Sequence, residues 1–264
     1  MLLNSVVIIL REVLEAALVL SVLLAVSRIL SVNLRWVPIA IIGGVIGSVA
    51  FGLNMQRISD LFEGVGQEVV DALIQYAVFV TLAGCIFEIV RRNRCALFEG
   101  RLLPLLMTVA VALAMTREGS EILVYITGFW HMDNFLYGVG VGSLLGACIG
   151  MSVGVLFYYA LLSQPTHRAL WLSIGLLSLI GAGMCGQATQ LMIQADWISA
   201  AGPLWDTSGI LPEDSLPGQL LYALLGYEAS PSAREVAIYL GALAVMALAT
   251  TLGITLYRRR EAQA

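Results

Sequence analysis

Residues 2–26 read LLNSVVIILREVLEAALVLSVLLAV, and residues 102–130 read LLPLLMTVAVALAMTREGSEILVYITGFW. Both stretches have the length and apolar character of helices that cross a lipid bilayer, yet each contains the pattern R-E-x-x-E. Three charges in one span would cost roughly 8–10 kcal/mol if they faced lipid, at about 2.5–3.5 kcal/mol each. We therefore expect these side chains to face a protein interior or a water-filled path.

The composition of the whole chain places it in a membrane. Of its 264 residues, 59% are hydrophobic and only 12% are charged, whereas a soluble domain carries about 25% charged residues. These proportions leave no room for a sizeable soluble domain. They predict one all-α integral membrane domain over residues 1–264.

Seven hydrophobic runs reach the ~20 residues that a helix needs to cross a bilayer. They lie at about 2–27, 36–55, 69–90, 102–130, 135–162, 169–194 and 233–257. The first run does not resemble a signal peptide, because no basic residue precedes it and Arg11 interrupts it. The sequence thus predicts a multi-pass protein with seven transmembrane helices.

The arginines between these runs predict the direction of each crossing. Only Arg57 and Arg234 would lie on one side of the membrane. The arginines of the other side are Arg28, Arg35, Arg91, Arg92, Arg94, Arg101, Arg168, Arg258, Arg259 and Arg260. By the positive-inside rule, the N-terminus is outside and the C-terminus is cytoplasmic.

The predicted outer side is acidic, and an acidic mouth would raise the local concentration of cations. An ordinary solvated surface is the alternative. The candidates for the mouth are Glu68 and Asp71 near the start of the third span, and Asp206, Glu213 and Asp214 in the segment before the seventh.

Each R-E-x-x-E motif gathers its charges on one face of a helix, within an arc about 100° wide. The residues are Arg11, Glu12 and Glu15 in the first span, and Arg117, Glu118 and Glu121 in the fourth. The two spans would run in opposite directions. This indicates a 3+3 inverted repeat whose site lies at the repeat interface.

The predicted repeats cover about residues 1–92 and 101–195. An outer loop of about residues 195–232 and a C-terminal span of about residues 233–257 would follow. The glycines of two spans predict close helix packing in lipid: Gly43 and Gly47 in the second, and Gly138, Gly142, Gly146, Gly150 and Gly154 in the fifth. The side chains of Gln187, Gln190 and Gln194 either line a path or form hydrogen bonds between helices.

The four motif glutamates are expected to face one another near mid-membrane as metal ligands, with Arg11 and Arg117 supporting them. Together the six groups carry a charge of −2, and oxygen-only ligands favour hard cations. Ferric iron fits this preference, and ferrous iron, manganese or lead could also be held. A structural salt-bridge network, a proton relay and a membrane-embedded metal-dependent enzyme remain alternatives, although neither motif contains a histidine.

The two motifs resemble those of the oxidase-dependent iron transporter family, which includes the fungal high-affinity iron permease and bacterial iron-uptake permeases. That family has seven spans, with one such motif in the first and one in the fourth. Residues 205–208 (WDTS), 226–227 and 231–232 resemble its outer loop, and residues 68–71 (EVVD) resemble an acidic cluster in it. Val13 departs from the glycine that is common at its position.

The resemblance implies an iron permease of the bacterial inner membrane, not an enzyme, with ferric or ferrous iron as its substrate. It assigns the metal-binding role to the four motif glutamates. It also implies a periplasmic iron-binding or ferroxidase partner, for which the outer loop is the expected docking surface. We expect no permanently bound cofactor and no nucleic-acid partner; lead or manganese is the alternative substrate.

Overall fold

The computed structural model describes residues 2–94, 101–129, 133–199, 201–213 and 215–261. No strand is formed within these ranges, which confirms the all-α prediction. The helices are α1 (Leu2–Ile29), α2 (Trp36–Leu53), α3 (Met55–Ser59), α4 (Gly66–Arg94), α5 (Leu102–Gly128), α6 (Asp133–Leu162), α7 (Thr166–Gln194), α8 (Leu216–Leu225) and α9 (Ala233–Glu261). A short 3-10 turn, Leu61–Gly64, connects α3 to α4.

Six of the described helices are long and apolar enough to cross a membrane: α2, α4, α5, α6, α7 and α9. The chain is therefore a multi-pass membrane protein. Helix α1, with 28 residues, is also long enough to cross a membrane. It is not among the six because Arg11, Glu12 and Glu15 interrupt its apolar sequence. The seven predicted runs match these helices to within about four residues at each end, although Trp130, the predicted end of the fourth run, lies outside the described residues.

The most extensive helix contacts join α1 to α6 and α2 to α5. Glycines on α6 make the first contact close, because a Cβ atom at Gly146 would lie 2.5 Å from the carbonyl oxygen of Val6. Gly142, Gly150 and Gly154 approach α1 in the same way, whereas nothing lies within 4 Å of a Cβ at Gly138. The predicted packing role is thus confirmed for four of the five glycines.

A small residue also brings α2 against the motif on α5. A side chain at Gly119 would collide with Ser48 of α2, whose hydroxyl donates to the carbonyl oxygen of Met115 at 2.7 Å. On the other side of the molecule, Val13 of α1 packs against Gly150 of α6. Each contact pairs a glycine with a larger residue, so Val13 is accommodated by a glycine on its partner helix.

The hydrophobic core fills the half of the protein toward the arginine-rich helix ends. It begins below the motif glutamates, along the C-terminal halves of α1 and α4 and the N-terminal halves of α5 and α7. Its fully buried side chains include Leu18, Leu23, Leu82, Ile86, Met107 and Leu177. The described helices of this half therefore pack around a continuous apolar core.

The segment predicted as an outer loop contains a helix, α8, that packs against α7 and α1. The Ser215 hydroxyl caps its N-terminus by accepting from the Gly218 amide at 3.1 Å. Gly226 ends the helix in the left-handed conformation, at φ 66°, and lies directly against Gly183 of α7. The outer segment therefore folds back onto the membrane helices.

We expect Gly146→Ala to destabilise the protein, because the new methyl group would push α1 from α6. Overpacking of this kind costs about 1–3 kcal/mol. Thermal unfolding of the detergent-purified protein should show a lower melting temperature. The matched control is Gly140→Ala on the same helix, where nothing lies within 4 Å of the added carbon; equal stability of the two variants would contradict this packing.

Candidate metal-binding site

Arg117 is buried in α5 and lies at the centre of the motif residues. Its Nη1 is 2.8 Å from Glu118 Oε1 and its Nη2 is 2.8 Å from Glu121 Oε1. Across the helix interface, Nη1 is also 3.4 Å from Glu15 Oε2 on α1. One guanidinium therefore connects three carboxylates and joins the two motifs.

Three carboxylates converge beside this arginine. Glu12, Glu118 and Glu121 each offer one oxygen, and these oxygens all lie within 4.8 Å of one another. Glu12 is 6% exposed and Glu118 is 1% exposed, and the Oε2 atom of each has no hydrogen-bond partner. Buried carboxylates this close repel one another, and a bound cation would offset that repulsion.

Glu15 has a different environment from the other three glutamates. Its Oε2 accepts hydrogen bonds from Arg117 and from Gln187 of α7, each at 3.4 Å. Its Oε1 lies 3.5 Å from Nε of Arg11. The structure thus brings three motif carboxylates together as possible ligands and surrounds the fourth with two arginines.

A cavity of about 550 Å³ leads to these residues from the predicted outer side. Glu12, Glu121, Arg11 and Arg117 line its inner end. Two predicted mouth residues on α4, Glu68 and Asp71, line the same cavity. Asp71 is only 3% exposed, and its Oδ1 has no hydrogen-bond partner.

Two further predicted mouth residues, Asp206 and Glu213, do not line this cavity. Asp206 lies on the exposed surface, where two hydrogen bonds from Ser208 hold the pKa of its carboxyl below its usual value. Glu213 accepts a hydrogen bond from the backbone amide of Ala229 at 2.6 Å. Asp214 lies outside the described residues.

The glutamines of α7 serve both of the roles considered for them. Gln187, Gln190 and Gln194 all line the cavity. Gln187 also accepts a hydrogen bond from Gln75 of α4 at 2.8 Å, and Gln190 donates to Glu228 at 3.0 Å. Their amides add neutral polar groups to a cavity that is also lined by charged side chains.

A family model described as the iron permease FTR1 family matches residues 2–257. The chain belongs to this family. It is therefore a transporter and not an enzyme.

Several relatives of this iron permease family member are named ferrous iron permease EfeU. The chain is 26% identical to that of Escherichia coli O6:H1 over 252 residues, covering 88% of this chain and 89% of the relative. It is 26% identical to that of Shigella sonnei (95% and 97% covered) and to that of Yersinia pestis (87% and 86% covered). No solved structure matches the chain.

Tyr222 of α8 is the site residue that the sequence did not indicate. It lies 101 residues after Glu121 and 211 after Arg11, and it belongs to a segment predicted as a loop. In this permease its ring lines the cavity and stacks against Arg11. A serine followed by Leu-Pro at residues 215–217 is a helix-start signal that could have revealed α8.

Glu228 follows α8 and borders a second cavity of about 390 Å³ on the far side of Gln190 and Tyr222. Its carboxyl group is half-buried. This burial, together with the carboxylates of Glu235 and Glu213, raises the pKa of Glu228 from its ordinary 4.5 to about 7. Between those pH values the folded protein retains a proton that the unfolded chain has lost.

We expect Glu228→Gln to stabilise the permease at pH 8 but not at pH 4. Because the folded pKa is raised, the wild-type protein loses stability as the pH rises from 4.5 to about 7. The neutral amide removes this loss and can still accept from Gln190. Melting temperatures at both pH values test this, and a variant less stable than wild type at pH 8 would contradict it.

Proposed function

We propose that this permease imports iron ions by binding them between the two R-E-x-x-E motifs. The observation that carries the proposal is the convergence of Glu12 on α1 with Glu118 and Glu121 on α5, within 4.8 Å. Glu12 and Glu121 line the inner end of a cavity, and Glu118 is buried directly behind them. A cation arriving there would meet three oxygen ligands supplied by both halves of the chain.

The charge of the site supports a multivalent metal ion. Four glutamates and two arginines sum to −2, and Arg117 holds its neighbouring carboxylates in place. Carboxylate oxygens suit hard cations, among them ferric and ferrous iron. The relatives are named ferrous iron permeases, so we propose iron as the substrate.

The path of the ion follows from the cavity and the core. The ion enters on the outer side, past Glu68 and Asp71, which line the cavity and would attract it. The closed apolar core blocks the arginine-rich side, so release requires a second conformation. We propose that it forms when the two inverted halves rock against each other.

The helix pairing supports an inverted repeat with boundaries near residues 1–92 and 101–195. The first helix of each half packs against the second helix of the other: α1 against α6, and α5 against α2. A two-fold axis in the plane of the membrane would relate the two halves and produce this crossed pairing.

The same arrangement supports the proposed orientation. With the arginine-rich helix ends in the cytoplasm, the N-terminus lies outside a bacterial inner membrane.

We also propose that a periplasmic iron-binding protein or ferroxidase delivers iron to the outer segment. Asp206 lies on the exposed surface there, near Trp205 and Ile210, which are 47% and 87% exposed. Exposed apolar side chains beside a charge are a composition typical of protein interfaces. The delivered ion would then pass into the acidic cavity.

We expect Glu118→Gln and Glu12→Gln each to reduce uptake of radioactive iron by about tenfold or more in proteoliposomes. Loss of an outer-shell partner already costs 10–100-fold in metal affinity, and loss of a ligand should cost at least as much. The matched control is Glu63→Gln, an exposed acid of the outer surface. Normal uptake by both site variants, at wild-type protein levels, would refute the proposal.

Competition in the same assay identifies the substrate. Excess unlabelled iron should suppress uptake of the radioactive ion more strongly than equal manganese or lead. Parallel measurements with ascorbate-reduced iron and with ferric citrate separate the two oxidation states. Stronger suppression by manganese or lead would assign the site to that metal instead.

We expect the double variant Asp206→Asn/Ile210→Ser to reduce iron uptake in cells by about tenfold, while free iron uptake in proteoliposomes stays normal. Surface contacts of this kind affect partner binding but not the distant ion site. Comparing uptake in cells with uptake in proteoliposomes separates a loss of partner docking from a loss of ion binding. Unchanged uptake in cells would exclude this docking surface.

A further inference from the structure

The two motif arginines occupy unequal positions, although their motifs are alike. Arg117 lies within 2.8 Å of oxygens of both Glu118 and Glu121. Arg11 instead approaches only Glu15 among the described acids, and its Nε atom, 3.5 Å from that carboxylate, forms no hydrogen bond. The arrangement around Arg117 is therefore not repeated around Arg11.

Arg11 instead contacts the aromatic ring of Tyr222. The guanidinium carbon of Arg11 lies 3.9 Å from the centre of the Tyr222 ring. A cation over an aromatic face is attracted by the ring quadrupole, more strongly where water is excluded. The ring therefore competes with the carboxylates for Arg11 and keeps it at the cavity wall.

The position of Arg11 determines how free Glu12 is. Glu12 is the next residue along α1, and its Oε2 has no partner. A guanidinium moving onto Glu12 would satisfy that oxygen and add a positive charge where the cation binds. The metal ion would then have fewer ligands, and the site would carry less negative charge.

We propose that Tyr222 is a positioning residue that holds Arg11 away from Glu12 and so keeps the carboxylate cluster open to the metal ion. The inference rests on the proposed function, since it concerns the same cluster. It assigns a role in ion affinity to α8, which lies in the outer segment far from both motifs in sequence. Tyr222 touches Arg11 rather than the ligands, so it acts through the arginine.

The scaffold behind Tyr222 is suited to this role. Helix α8 has a serine cap at one end and a left-handed glycine at the other. The adjacent Ala223 is buried in the main hydrophobic core, and Gly226 lies against Gly183 of α7. The ring is thus carried by a helix that is fixed at both ends.

Iron uptake kinetics in proteoliposomes test the role of the ring. Tyr222→Leu should raise the KM for iron by about two- to fivefold, as expected for loss of one cation–π contact, with little change in maximal rate. Tyr222→Phe, which keeps the aromatic face, should behave like the wild type. Tyr137→Leu on α6, at a tyrosine that is 81% exposed, is the matched control and should have no effect.

A second substitution tests whether the effect passes through Arg11. In an Arg11→Gln background, Tyr222→Leu should cause no further change in KM, because no cation remains to be held. If Arg11→Gln transports too slowly, equilibrium binding of radioactive iron to the purified variants gives the same comparison. If Tyr222→Leu aggregates, Tyr222→Met removes the ring with a similar volume and carries the same expectation.

The outcomes separate this inference from the proposed function. Equal defects in Tyr222→Phe and Tyr222→Leu, or an undiminished effect of Tyr222→Leu in the Arg11→Gln background, would overturn the positioning role. If Glu118→Gln still abolishes uptake in that case, the carboxylate site stands without it. Normal uptake by Glu118→Gln and Glu12→Gln would instead remove the site itself.

Discussion

Pairing of charges inside a low-dielectric environment is the constraint on which this structure depends. Arg117 meets it by contacting Glu15, Glu118 and Glu121 at once, and so it joins α1 to α5. Removing one partner of a buried ion pair typically costs about 3–5 kcal/mol, since the remaining charge is left uncompensated. The network is nevertheless incomplete, because six groups leave a charge of −2. In the function proposed above, a cation offsets this charge, so the groups that join the helices would also bind the substrate.

Close helix contacts make this network possible. Glycines on α6 admit α1, and Gly119 within the second motif admits Ser48 of α2. The first motif has Val13 at the equivalent place, and there the small residue is Gly150 on the neighbouring helix. Gly150 thus provides the space that Val13 occupies between α1 and α6.

The predicted outer side of the molecule and its arginine-rich side differ in structure. On the outer side, a cavity with Asp71 on its wall extends to Glu12 and Glu121. Toward the arginine-rich side, Leu18, Leu82 and other buried apolar residues close the path. The outer segment adds a further asymmetry, because Tyr222 of α8 stacks against Arg11 of the first motif. Similar motifs thereby acquire different surroundings.

The sequence by itself determined the membrane class, the helix boundaries to within about four residues, and the shared face of each motif. These follow from bilayer thickness and from the 100° turn per residue, which are local properties. The tertiary structure alone decided that Glu12, Glu118 and Glu121 converge whereas Glu15 lies between two arginines. It also placed Asp206 apart from the cavity. It also decided the contact of Tyr222 with Arg11, residues 211 positions apart. Such contacts depend on how whole helices pack. The residue pattern of one helix does not specify which distant side chain will contact that helix.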